Sequence, residues 1–201
     1  MGNNASNVTF GKPKISGAIF TAPLNTALPT SASAELNEAF KCLGYVSDDG
    51  VKNSNGPSSN SIKAWGGDKV LNLETEKPDN WKVKFIEALN IEVLKAVYGD
   101  DNVSGTLQTG ITVRANSIPR EPHAWVIDML MAKGVMRRIV IPNGTITAIE
   151  EIEYKDENAV GYDCTISAAP GNEDFGYDTH KEYITAPAAQ TSAAQGSGGG
   201  E

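Results

Sequence analysis

Short runs in which apolar and polar residues alternate are what most constrain this chain. Trp81-Lys82-Val83-Lys84-Phe85 sends its large apolar side chains to one side and its lysines to the other, the pattern of a half-buried strand. The same rhythm recurs in residues 40–47, in Lys69-Val70-Leu71-Asn72-Leu73-Glu74-Thr75, in residues 110–114 and 124–130, and in residues 162–168. The longest such stretch is residues 136–152. Its centre, Asn143-Gly144, is the pair that most favours a tight type I′ turn, so the sequence predicts a hairpin there, with Ile141 facing Ile146 and Ile139 facing Ala148. A second hairpin is expected at Asp48-Asp49-Gly50, with Val51 beginning the return strand.

One segment departs from this period. Asn90 can cap a helix, Glu92 suits its positive end and Gly99 can terminate it, while Ile91, Leu94, Val97 and Tyr98 fall on one face. A short helix over 91–98 is predicted. Many strands with one helix imply a mainly β fold, a sandwich or flattened barrel. At 201 residues, 40% of them hydrophobic, the chain can bury one sizeable core. The expected division is an N-terminal arm over 1–14, a β domain over 15–185 containing a long polar loop at 52–61, and an Ala/Ser/Gly-rich tail over 186–201 with linker composition.

Charge narrows the partners. Seventeen Lys/Arg stand against 25 Asp/Glu, a net charge of −8. Residues 1–100 hold ten basic against eleven acidic side chains, and residues 101–201 hold seven against fourteen. Such a surface gains no affinity for phosphate by releasing counterions, so wrapping of nucleic acid is disfavoured. No apolar stretch approaches the roughly 20 residues that span a bilayer, and the start lacks the pattern of a secretion signal, so a soluble cytoplasmic chain without membrane contact is expected. The four Asn-X-Ser/Thr matches then count as chance.

The usual carriers of chemistry are missing. There is no phosphate-binding glycine loop, no nucleophile elbow and no His-Glu-X-X-His zinc motif. His123 and His180 are isolated in sequence, and hydrogen-bonded or surface roles suit them better than catalysis. Cys42 and Cys164 sit in strand contexts without metal-ligand spacing, which favours reduced core thiols over a zinc site shared with a histidine. Trp65, Trp81 and Trp125 are scattered through strand-like contexts, where core packing is the expected role. No catalytic residue, metal or cofactor is expected. The residues alone lead to an acidic, strand-rich assembly or binding domain.

The order of elements resembles the tail tube (major tail) proteins of long-tailed, non-contractile bacteriophages. The resemblance is carried by Leu43-Gly44-Tyr45-Val46-Ser47-Asp48-Asp49-Gly50-Val51, by Ile62-Lys63-Ala64-Trp65-Gly66-Gly67-Asp68, and by the strand-to-helix passage from Trp81 to Tyr98-Gly99. Arg138-Ile139-Val140-Ile141-Pro142-Asn143 and the late Gly161-Tyr162 strand complete it, over roughly residues 15–185. It implies a tail-tube β-sandwich whose copies form hexameric rings, with sheets joined into a continuous inner barrel and rings stacked into a conduit for the genome. The implied partners are further copies of the chain and the phage's tape-measure and tail-terminator or tip proteins, with double-stranded DNA passing through unbound. The implied location is the virion, assembled in the cytoplasm of the host bacterium. On this resemblance Asn53, Ser54, Asn55, Gly56, Pro57, Ser58, Ser59, Asn60 and Ser61 are the candidates for ring stacking. Glu74, Glu150, Glu151 and Glu153 are the candidates for an acidic lumen. The competing expectations are a monomeric β-sandwich that binds carbohydrate or another ligand, and the inner tube of a contractile injection system.

Overall fold

The computed structural model describes residues 2–14, 17–171 and 176–187. Two long strands form its spine. β1 (Gly11–Pro13), β2 (Ile19–Pro23), β3 (Lys41–Cys42), β4 (Val46–Ser54), β5 (Ser58–Lys63), β6 (Lys69–Glu76) and β7 (Asn80–Phe85) precede the helix α1 (Ile91–Tyr98). β8 (Val103–Thr106), β9 (Gly110–Val113), β10 (His123–Met131), β11 (Met136–Ile149), β12 (Tyr162–Ala168) and β13 (Lys181–Thr185) follow it. Among the described residues the fold is mainly β with a single α-helix and several antiparallel sheets, and no barrel closes. Among the described residues no helix is long and apolar enough to cross a membrane.

The main sheet runs β3-β2-β10-β11-β12-β7-β4, with β1 added to β10 and β13 added to β11. β10 pairs with β2 along its first half and β1 along its last residues, while β11 pairs with β13 first and β12 afterwards. These two strands therefore belong to both ends of the sheet.

Alternation along β10 builds a core on each face. Trp125 and Ile127 point toward α1 with Trp81, Val83, Phe85, Ile141, Cys164 and Ile166. Ala124 and Val126 join Ala22, Phe40 and Val140 on the other face, beneath Leu28, Leu36 and Tyr183. Asp128 and Arg138, opposite each other in the β10–β11 register, are buried on this second face. Arg138 donates from Nε and Nη2 to the two Asp128 oxygens (2.7 and 2.8 Å) and from Nη1 to the carbonyls of Ser31 and Ala34. A buried charge is tolerated only when paired and hydrogen-bonded in this way, and here the pair also pins the 31–34 segment over the sheet.

The helix forms where its caps predict. Asn90 Oδ1 accepts from the Glu92 amide at 3.0 Å, and the Gly99 amide closes on the Lys95 carbonyl at 2.7 Å. Its buried residues are Val93, Leu94, Ala96 and Val97, a broader stripe than the one expected, with Ile91 and Tyr98 only partly buried at its margins.

Both predicted tight hairpins are corrected. β11 runs straight through Asn143-Gly144, so the Ile141–Ile146 and Ile139–Ala148 facing pairs do not occur; Ile141 faces Trp125 and Ile146 faces Ile166. Gly144 serves close approach instead of a turn. A Cβ there would lie 2.8 Å from Trp125 Cδ1 and 3.0 Å from Ile166 Cγ2, and the indole donates to the Gly144 carbonyl at 2.9 Å. Likewise β4 passes through Asp48-Asp49-Gly50 without reversing. Gly50, at φ 68°, lies in an irregularity between the Val46–Phe85 and Val51–Val83 pairs, so its positive φ is used in a bulge.

The expected N-terminal arm is partly tied down. β1 pairs with β10, and the Ala132 amide donates to Thr9 Oγ1 at 3.0 Å. The expected Ala/Ser/Gly-rich tail lies, beyond residue 187, outside the described residues.

Candidate assembly surfaces

The polar run 53–61 is not a loop. Asn53 and Ser54 end β4, Asn55, Gly56 and Pro57 form a three-residue link, and Ser58, Ser59, Asn60 and Ser61 lie in β5. Among the described residues β5 and β6 pair only with each other. Its turn-forming composition hides the strand because a hairpin exposed on both faces needs no apolar alternation in every arm. All fourteen residues of the two strands are exposed. Ile62 and Leu71 are register partners, and Leu73 shares their face by the period of two, so one side of this arm carries an exposed apolar patch flanked by Asn60, Lys69 and Thr75.

Trp65 sits at the arm's tip and is fully exposed, which corrects its expected place in the core; Trp81 and Trp125 are buried as expected. The turn is held by hydrogen bonds from the Ala64 amide to the Asp68 carbonyl and from the Gly67 amide to the Ala64 carbonyl. The signal was present in the sequence: a tryptophan directly followed by Gly66-Gly67 is in a turn, where it cannot reach a sheet core.

At the arm's root a buried carboxylate gathers three elements. Asp79 accepts from Asn53 Nδ2 (2.7 Å) and Thr179 Oγ1 (2.6 Å), and its Oδ2 lies 2.6 Å from His180 Nδ1. Burial pushes the Asp79 carboxyl up, but the bonds from Thr179, His180 and Asn53 outweigh it and hold the group below the usual carboxylate value. His180 also stands edge-on to the ring of Trp81. The cluster thus joins the end of β4, the start of β7 and the approach to β13. Asp79 and His180 could not be linked from sequence, being 101 positions apart.

The lumen candidates fall in two places. Glu74 is on β6, within reach of Lys77 at 3.2 Å. Glu150, Glu151 and Glu153 follow β11, with Lys82 Nζ 2.8 Å from Glu150 and Lys155 paired to Glu153. The Lys82 contact holds the Glu150 carboxyl below its usual range and raises the lysine in turn. Lys82 belongs to a polar sheet face. Opposite the core-facing Trp81, Val83, Phe85, Cys164 and Ile166, the strands β7 and β12 present Lys82, Lys84, Asp163, Thr165 and Ser167, with Lys52 beside them on β4. Neither apolar cluster lies against this face.

No catalytic centre accompanies these surfaces among the described residues, where no group of His, Cys, Asp or Glu is arranged to hold a metal ion. Cys42 and Cys164 are free thiols. A family model described as phage tail tube protein matches residues 1–181. The chain belongs to the phage tail tube protein family. No curated protein matches it closely enough to be reported beside that family. As a tail tube protein it is a structural component of the phage virion.

Proposed function

We propose that this tail tube protein forms hexameric rings that stack into the conduit through which double-stranded DNA leaves the particle. The observation that carries the proposal is the β5–β6 arm. A two-stranded hairpin is marginal in water, and this one exposes Ile62, Leu71, Leu73 and Trp65 with little among the described residues against them. Contact with another copy supplies the missing cover. Residues 53–61 then act in stacking as the root and first strand of that arm.

The main sheet supports ring closure in a second way. Its order ends at β3 and β4, and edge strands carry unpaired backbone groups that continuing the sheet into a neighbouring copy would satisfy. In such a ring the bare face of β4, β7 and β12 becomes the wall. Of the four lumen candidates we favour Glu150, because its carboxylate neutralises Lys82 on that face. DNA carries about one negative charge per 1.7 Å of axis, so unmatched lysines would grip it at every ring. Carboxylates beside them keep the wall from binding, and hydroxyls of Thr165 and Ser167 leave it wet.

Tape-measure and terminator or tip proteins of the same phage would set the length and close the ends, with assembly in the host cytoplasm. Size-exclusion chromatography with negative-stain microscopy tests the core of this reading. Rings or tubes of the purified chain are expected; a clean monomer at all concentrations, with or without the other tail proteins, overturns it.

A further inference from the structure

The arm's root and an apolar groove lie at opposite ends of the same strands. At one end Ser54, Asn80 and Ser167 are register neighbours across β4, β7 and β12, and the arm leaves from there. At the other end Val46, Phe85 and Tyr162 are neighbours, and just beyond them opens a groove of about 870 Å³. Ile86, Val160 and Tyr162 contribute to its lining, as do Leu89, Leu107 and Tyr154, which are 68%, 61% and 73% exposed.

Resting on the stacked-ring reading above, we infer that Trp65 of one copy seats in this groove of the next copy along the tube. Chemistry and reach both fit. The tip offers a fully exposed indole and the groove offers uncovered aliphatic and aromatic walls, the pairing that anchors protein interfaces. Head-to-tail stacking brings the root end of one copy against the groove end of the next, and the eight residues of β6 give the arm roughly 26 Å to cross that joint.

Charge fits as well. Lys63 and Lys69 face each other across the arm beside the tip. Beside the groove, residues 150–157 hold five carboxylates and one lysine. Lys82 and Lys155 engage Glu150 and Glu153, which leaves Glu151, Asp156 and Glu157 without a lysine or arginine in contact among the described residues. The contact is heterologous, knob to groove, and repeats without closing on itself, as a stack of rings requires. Residues 188–201 contain no large apolar side chain to compete for the groove.

The test places a photoreactive benzophenone residue at position 65 of the full chain and maps the adducts by mass spectrometry. Adducts to residues 86–90, 107 or 154–160 of another copy are expected. Trp65→Glu and Leu89→Glu should each keep a native circular dichroism spectrum, since both side chains are exposed, and raise the concentration needed for tube growth at least tenfold. Reversal of Lys63 and Lys69 to Glu should weaken growth further at low salt. Tubes whose position-65 adducts lie elsewhere overturn the docking and leave the conduit standing, as do tubes in which Phe10 of the N-terminal segment is found in the groove. Absence of any multi-ring assembly, alone or with the other tail proteins, overturns both.

Discussion

Gly144 and Trp125 show how one residue's role depends on what it touches. Gly144→Ala should destabilise the fold by about 1–3 kcal/mol, because the added methyl meets the Trp125 ring. Gly144→Asn should be at least as harmful, whereas a type I′ turn would accept it; equal stability of that variant in chemical denaturation would restore the turn. Asp128→Ala should cost about 3–5 kcal/mol, since it leaves the Arg138 guanidinium buried and unpaired. The two cysteines separate by environment: burial pushes the Cys164 thiol up to about 12, while Cys42 is only half-buried. Mild alkylation of the native protein should therefore modify Cys42 alone, and both thiols after denaturation, with no two-dalton mass deficit before reduction. At this scale the sequence was legible where a residue's neighbours are local, as for the Asn90 cap and the Gly99 stop. It was illegible where the partner is distant: Asn-Gly is the same dipeptide in a turn and beneath an indole.

On the proposed stacking, the β5–β6 arm borrows its stability from a neighbouring copy. Removing residues 57–77 and joining the ends with a short linker should leave the circular dichroism of the body intact and abolish tubes; unaltered tubes would take the arm out of the interface. Its root is clasped by Asp79, and the sign of the pH effect follows from the lowered carboxyl. The stabilisation is complete above the ordinary value of 3.8 and is lost as pH falls through the still lower folded value. Proteolysis of the links flanking the arm should thus stay slow across neutral and mildly acid pH. Asp79→Asn should weaken the clasp by about 1–3 kcal/mol at neutral pH and speed that cleavage. Strands with one buried face, such as β7 and β12, were readable from alternation, and α1 from its caps. Of the arm, β6 was readable in the same way, but β5 was not, because it is polar and none of the described residues covers either face.

At the scale of the whole molecule, the proposed conduit ties charge to passage more than to assembly. Glu150→Lys should preserve rings and tubes yet leave Lys82 unmatched beside a second cation, turning each ring's wall toward the phosphates. Genome delivery should slow, more so at low salt, where screening extends beyond the about 8 Å of physiological conditions. Delivery at the normal rate in that variant would remove electrostatics from the account of the wall. The sharing of β10 and β11 by both ends of the sheet has a mechanical consequence. A backbone that runs unbroken through both halves leaves no hinge between them, and with cores on its two faces the body resists shear as one block. Bending is then left to the links on the arm's side of the Asp79 clasp, 55–57 and 77–78. In the proposed stack such units would be stiff beads on short tethers, with curvature under load set by those five residues.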